Sequence, residues 1–423
     1  MGRYGAYPAY KASGVAWLGK IPAHWVITKL AYLFSQTNAG EVIDKGYWGD
    51  GDELLFTCAR DPLISDYQGF PEDKRTTSLD LLLTRNGTPY VHTPPSGAIY
   101  TNVVQRITLQ REVHRKYISY ALGGACLSLT GYGVSIESLN FGMWKSLHLG
   151  IPPYAEQQAI ARFLDHKTAQ IDALIAKKEA LLARLADKRT ALISQAVTKG
   201  LDPAAPMKAS GIDWLGEIPA HWEVLPLKRK WTVIDCKHKT VAFIDDGFPI
   251  ASIGEVRNNH FSLEQAKMAA YEDFLDLTEG RKPERSDLIY SRNATVGSVG
   301  YVDTDDDFSL GQDVCLIKPI RENNRFLWWQ LQSPHVLAQL NAIFVGATFK
   351  RINVADIKGY LICVPPVIEQ YQIARFLDDQ ASRIDRQTAT VQQAIDKLKQ
   401  YRTALITHAV TGRIDVRGVA LPD

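Results

Sequence analysis

The chain has 423 residues, with 48 Lys and Arg against 46 Asp and Glu, a formal charge of +2. That near-balance gives no large field to attract nucleic acid or a membrane surface, and 46% hydrophobic against 22% charged residues excludes a wholly disordered chain. At roughly 150 residues per domain, two to three domains are expected.

Met1 to Tyr10 lack a basic-then-apolar signal pattern, and no apolar run approaches the roughly 18 residues that span a bilayer. Residues 11–25 then read Lys-Ala-Ser-Gly-Val-Ala-Trp-Leu-Gly-Lys-Ile-Pro-Ala-His-Trp. Trp17 and Trp25 around Pro22 make a rigid apolar hook, expected to dock on a helix or domain. A short aliphatic run follows within Asp80–Thr88, which places Arg85-Asn86 at a strand end or in the following turn.

Pro152-Pro153 stops the next strand and presets a helix, with Glu156 where the helix dipole favours an acid. Aliphatic residues then recur every seven: Leu164, Ile171, Leu185 and Leu192, with Lys178 between. A companion row is expected at Ile160, Lys167, Leu174, Leu181 and Lys188. Sustained seven-residue spacing predicts a coiled-coil seam along a helix of roughly 60 Å. Gly200 to Pro206 ends it and links onward.

Then the sequence starts again. Residues 208–222 match residues 11–25 at 12 of 15 positions, an offset of 197. Asp287–Thr295 resembles Asp80–Thr88, so Arg292, Asn293 and Thr295 repeat Arg85, Asn86 and Thr88. From Pro365-Pro366 the helix returns at an offset of 213, with its seam at Leu377, Ile384, Val391, Leu398 and Leu405. The second copy therefore carries 16 more residues in its divergent middle. A period above 190 residues excludes a solenoid. Four segments are expected: globular domains at 1–150 and 204–363, and long helices at 151–203 and 364–415. The two helices are expected to pack antiparallel about a pseudo-twofold axis.

Chemistry-bearing motifs are sparse. Cys58, Cys126, Cys236, Cys315 and Cys363 are scattered, which argues against a disulfide framework and fits a reducing cytosol. Cys236-x-His238 is an isolated pair without metal-site spacing, and no phosphate-binding loop or nucleophile elbow occurs. Ile151-Pro152-Pro153-Tyr154 resembles the Asp/Asn-Pro-Pro-Tyr signature of amino-methylating DNA methyltransferases, but Ile151 cannot accept a hydrogen bond from a base. Pro71-Glu72-Asp73-Lys74 reads as a solvated charged turn. Arg reads guanine bidentately and Asn reads adenine. The two Arg-Asn pairs therefore either face bases or form turns in which Asn bonds the backbone. Thr348-Phe349-Lys350-Arg351 either meets phosphate or starts a helix. No catalytic residue and no metal site is expected.

Together, the twice-present Trp-Leu-Gly-x-Ile-Pro-x-x-Trp and Pro-Pro-x-x-Glu-Gln-x-x-Ile-Ala-x-Phe-Leu-Asp segments resemble the specificity subunit of type I restriction-modification systems over essentially the whole chain. The resemblance implies an α+β fold of two α/β-type target-recognition domains separated by two long antiparallel helices. Each domain would read half of a bipartite, asymmetric site in double-stranded DNA. The helices would set the half-site spacing and dock two modification (methyltransferase) subunits, which restriction (motor-nuclease) subunits can join. S-adenosylmethionine, ATP and magnesium would belong to those partners, in the prokaryotic cytoplasm. Alternatives are a coiled-coil adaptor that does not touch DNA, or a fused methyltransferase or nuclease.

Overall fold

The computed structural model describes residues 4–126, 140–344 and 351–420. It forms two compact units, one of Met1–Glu179 with Gln393–Asp423, the other of Ala180–Gln392. Each boundary falls inside a long helix. In chain order the helices are α1 (Arg115–Ala125), α2 (Phe141–Ser146), α3 (Tyr154–Lys199), α4 (Tyr271–Thr278), α5 (Asn324–Leu331), α6 (Pro334–Ile343), α7 (Val354–Gly359) and α8 (Val367–Val410). Among the described residues, no helix is long and apolar enough to cross a membrane.

In the first unit a four-stranded antiparallel sheet has the order Phe34–Ala39, Val104–Leu109, Asp80–Thr84, Val91–His92. A smaller sheet places Trp48–Phe56 between Leu63–Ser65 and Ile99–Tyr100, the last pairing parallel. Leu55, Phe56, Leu82, Ile99, Tyr100 and Val104 form the core between them. Asp80 is fully buried because the turn needs it: its carboxylate accepts from Thr77 N at 2.6 Å and Thr108 Oγ1 at 2.5 Å.

The second unit repeats this plan with different residues. Its four-stranded order is Trp231–Asp235, Val314–Pro319, Leu288–Ser291, Val299–Tyr301. In the smaller sheet Phe248–Ala251 pairs antiparallel with Lys267–Ala269 and parallel with Ser309–Leu310. Asp287 repeats Asp80: it accepts from Glu284 N at 2.8 Å and faces Lys318 at 2.9 Å. Burial pushes its carboxyl above the usual carboxylate range, against the pull of Lys318. Twelve of the 16 extra residues sit in one place. Forty residues separate Ala251 from Ser291, where 28 separate the equivalent Phe56 and Thr84.

Each domain closes on a two-stranded neck. Val26–Lys29 pairs with His148–Ile151 so that Val26 faces Ile151, and Glu223–Pro226 pairs with Leu361–Val364 so that Glu223 faces Val364.

The repeated motifs meet at the start of each long helix. Trp25 Nε1 donates to Glu156 Oε1 at 2.9 Å, and His24 Nε2 donates to Oε2 at 2.8 Å. Trp222 and His221 hold Glu369 in the same way, at 3.0 and 2.8 Å. The following glutamine is fixed too: Gln157 accepts from His114 N and donates to Pro152 O, as Gln370 does with Asn323 N and Pro365 O. Glu156 and Glu369 thus sit in the first turn, where the unpaired amides favour an anion. The hook docks, as the sequence suggests, and its partner is the helix-start glutamate.

The far ends of the helices fit the same places. In the first unit the end of α8 reaches the hook: Gly412, at φ +69°, leaves no room for a Cβ, which would lie 2.2 Å from Pro22 Cδ. In the second unit Gly200, at φ +73°, ends α3 with its Cβ position 3.3 Å from Trp222 and 3.1 Å from Glu369. The chain ends also meet in the first unit, where Asp415 N donates to Gly5 O at 2.8 Å and Arg417 lies over the Tyr7 ring.

Within the first unit α3 and α8 run antiparallel: Asp172 pairs with Arg402 at 2.9 Å and Glu179 with Lys399 at 4.0 Å. In the second, Arg189 faces Asp385 at 3.8 Å. The seam row is inward-facing: Leu164, Ile171, Leu185, Leu377, Ile384 and Leu405 are buried, and Leu192, Val391 and Leu398 half-buried. The companion row differs from the expected one. Leu174 and Leu181 are 48% and 42% exposed, while Thr168 and Ile175 are buried and Leu182 half-buried. A heptad seam alternates steps of three and four. From Leu164 the next inward step is four residues, to Thr168; a step of three leads to the solvent side.

Candidate nucleic-acid interface

The two Arg-Asn turns occupy equivalent ends of equivalent strands but are built differently. In the first domain Arg85 is half-buried; its amide donates to Val103 O at 2.9 Å and its guanidinium to Asn102 O at 3.3 Å. Asn86 and Thr88 are exposed. The Thr88 carbonyl accepts from Thr84 Oγ1 at 3.1 Å, which closes the turn beneath them. Arg85 has no carboxylate partner among the described residues, so donors remain for an outside acceptor.

In the second domain Arg292 is only 4% exposed. Its guanidinium forms an ion pair with Asp235 and donates to Ile352 O at 3.2 Å. A buried guanidinium held this way cannot reach a base edge, so Arg292 positions the turn. Asn293 spends its amide on Asp313 at 3.3 Å and on Ala294 N at 2.9 Å. Thr295 Oγ1 reaches Ser291 Oγ at 2.9 Å and Val256 O at 3.4 Å. Arg351 joins the group by pairing with Asp313 at 3.1 Å, while about half of its side chain stays exposed. The structure thus brings Arg292, Asn293, Thr295 and Arg351 together; Lys350 lies outside the described residues. The expected consequence is asymmetric. Arg292→Ala should lower stability by about 2–3 kcal/mol, the lower side of a broken buried pair because Asp235 is 37% exposed. Urea unfolding of the two variants measures this. Arg85→Ala should stay within about 0.5 kcal/mol of the parent, and equal losses would contradict the distinction.

Asp235, Cys236 and His238 bring three donor atoms within 4.8 Å of one another. The Asp235 carboxylate is already shared by Arg292 and by His238 at 3.2 Å, so a guanidinium holds the place a cation would take. Nearby lysines are also committed. Lys237 and Lys239 both bind Asp276 and pull its carboxyl down to about 2.

One element escaped the sequence reading. Val256–Arg257 and His260–Phe261 form a small hairpin whose tip, Asn258-Asn259, has φ of 51° and 60°. Asn-Asn at a two-residue turn was the available signal, since Asn tolerates the left-handed region.

The family model described as the type I restriction modification DNA specificity domain matches residues 224–400. The chain is 23% identical to the type I restriction enzyme EcoBI specificity subunit of Escherichia coli over 334 residues, 75% of this chain and 69% of that one. It is 22% identical to the MjaVIII specificity subunit of Methanocaldococcus jannaschii over 295 residues, 68% and 67% of the two chains. A solved chain from work on complex assembly and conformational transition of the type I R-M system shares the fold, with a TM-score of 0.68 at 14% identity. It covers 92% of this chain and 98% of that one. With the matched domain in the second half and its frame repeated in the first, the chain is similar to the specificity subunits of type I restriction-modification systems.

Proposed function

We propose that this chain selects the DNA sequence for a type I restriction-modification complex, each of its two domains reading one half of a bipartite, asymmetric site in double-stranded DNA. One observation carries this reading. Two domains of the same strand order but unlike surfaces stand on matching frames, each closed by a Trp-His clamp on a helix-start glutamate. A constant frame with variable faces suits a reader of two different half-sites, and a repeated frame offers the same docking surface to two modification subunits. The long helices would set the half-site spacing; half-sites one DNA turn apart are separated by roughly 34 Å. Restriction subunits would join that complex. Methyl transfer and cleavage, with S-adenosylmethionine, ATP and magnesium, would belong to the partners in the prokaryotic cytoplasm, and this chain would contribute recognition rather than catalysis.

The test is methylome sequencing of cells carrying this chain with its modification subunit. The expected result is one two-part motif with unlike halves and a fixed unspecified spacer. A palindromic or single-block motif would contradict the two-domain reading. Modification without any motif would favour a scaffold that does not touch DNA.

A further inference from the structure

The hairpin that the second domain adds has the build of a reading element. Val256 and Phe261 are buried feet in the domain core, so strand alternation turns Arg257 and His260 outward. The tip is held from two sides. Asn259 Oδ1 accepts from Val299 N at 3.1 Å, and Thr295 Oγ1 donates to the Val256 carbonyl at 3.4 Å. Both central residues are left-handed, the geometry that matches the natural strand twist and keeps a short hairpin rigid. Arg257, Asn258 and His260 are exposed and, among the described residues, make no ion pair or side-chain hydrogen bond. This contrasts with Arg292, Arg351, Lys237 and Lys239, each held by a carboxylate.

We infer that the Arg257–His260 hairpin is the base-reading element of the second domain, entering the major groove of its half-site with Arg257 and Asn258 on base edges. The inference rests on the DNA-reading function proposed above and adds the residues that perform it. A two-stranded ribbon fits the roughly 12 Å major groove, where Arg pairs with guanine and Asn with adenine. Electrostatics choose the side of approach. His260 shares a cleft with Glu264, Asp303, Asp306 and Asp307, which repel phosphate. Arg257 and Asn258 do not line that cleft. The hairpin also lies between Ala251 and Ser291, the stretch that is 12 residues longer than its Phe56–Thr84 counterpart in the first domain. A difference in reading between two domains of one topology is expected where their surfaces differ most.

The experiment uses the full chain copurified with its modification subunit. It binds a DNA library randomised over both half-sites, and the bound fraction is sequenced. Arg257→Ala should lose roughly 5- to 150-fold of discrimination at one G·C pair of the second half-site and leave the first half-site profile unchanged. Asn258→Ala should relax a neighbouring A·T pair. Arg257→Lys should not restore the guanine preference, because a lysine lacks the bidentate fork. Weakening spread evenly over all sequences would mark Arg257 as a phosphate contact and overturn the inference, as would an unchanged profile. An unfolded Arg257→Ala protein would also overturn it, since the side chain would then have a packing role. Absence of any sequence preference in the parent complex would instead overturn the underlying function.

Discussion

A chimaera in which a relative supplies residues 26–150 is expected to read a new first half-site and keep the second half-site unchanged. The graft is favoured by the neck: Val26 and Ile151 are paired neighbours, so the exchanged segment leaves and rejoins the frame at one place. The clamp residues Trp25 and Glu156 stay outside it. The incoming domain must supply what α1 supplies, a backbone amide to Gln157 and two side-chain donors to Asp165, here Lys116 at 2.5 Å and Tyr120 at 2.9 Å. Arg325 and Trp329 of α5 do the same for Asp378, so relatives that keep Asp165 are suitable donors. With about 1–3 kcal/mol per mismatched base pair, three altered pairs shift preference by roughly 150-fold or more. Methylation sequencing reads the outcome directly. Changes in both halves, or in neither, would refute one-domain, one-half-site recognition.

Glu156→Ala should be among the most destabilising single substitutions in the first unit. It removes two hydrogen bonds to a carboxylate, deprives the helix start of its anion, and leaves the Trp25 indole N–H buried without a partner. A charge-assisted bond contributes about 1.5–3 kcal/mol and a stranded buried donor costs about 1–3; these overlap, so about 3–4 kcal/mol is expected. Glu369→Ala should cost less, because Glu369 is 23% exposed where Glu156 is 6% and water can reach the abandoned donor. Glu156→Gln keeps an acceptor and should fall between. Calorimetry of the intact chain measures this as a lower transition for one unit. A loss under about 1 kcal/mol for Glu156→Ala would mean that packing of Trp25, not its hydrogen bond, holds the junction.

The frame was legible because duplication wrote it twice. Trp25 and Glu156 meet across 131 residues, yet the paired motifs mark both partners. The strands were harder to see. Asp80–Thr84 is buried at every position, so it shows no alternation to separate it from a helix segment. The second seam row was misread because long polar side chains interrupt the helix and blur the choice between steps of three and four. The Arg-Asn turns show where local reading ends. Arg85 and Arg292 sit in matching sequence, but Arg292 is buried by Asp235 and the Ile352 carbonyl, contributed from distant parts of the chain. No pattern around either arginine carries that difference.

Each compact unit contains the start of one long helix and the end of the other, the end being seated on a hook from the opposite half of the sequence. A polypeptide of half the length, with one hook, one domain and one helix, would have nowhere to seat its own helix end. Two copies exchanging those ends would complete both seats. That gives a simple ancestry for the present chain: a self-associating half-size protein whose gene doubled and fused. The join at residues 200–206 then freed one domain to change its target without the other.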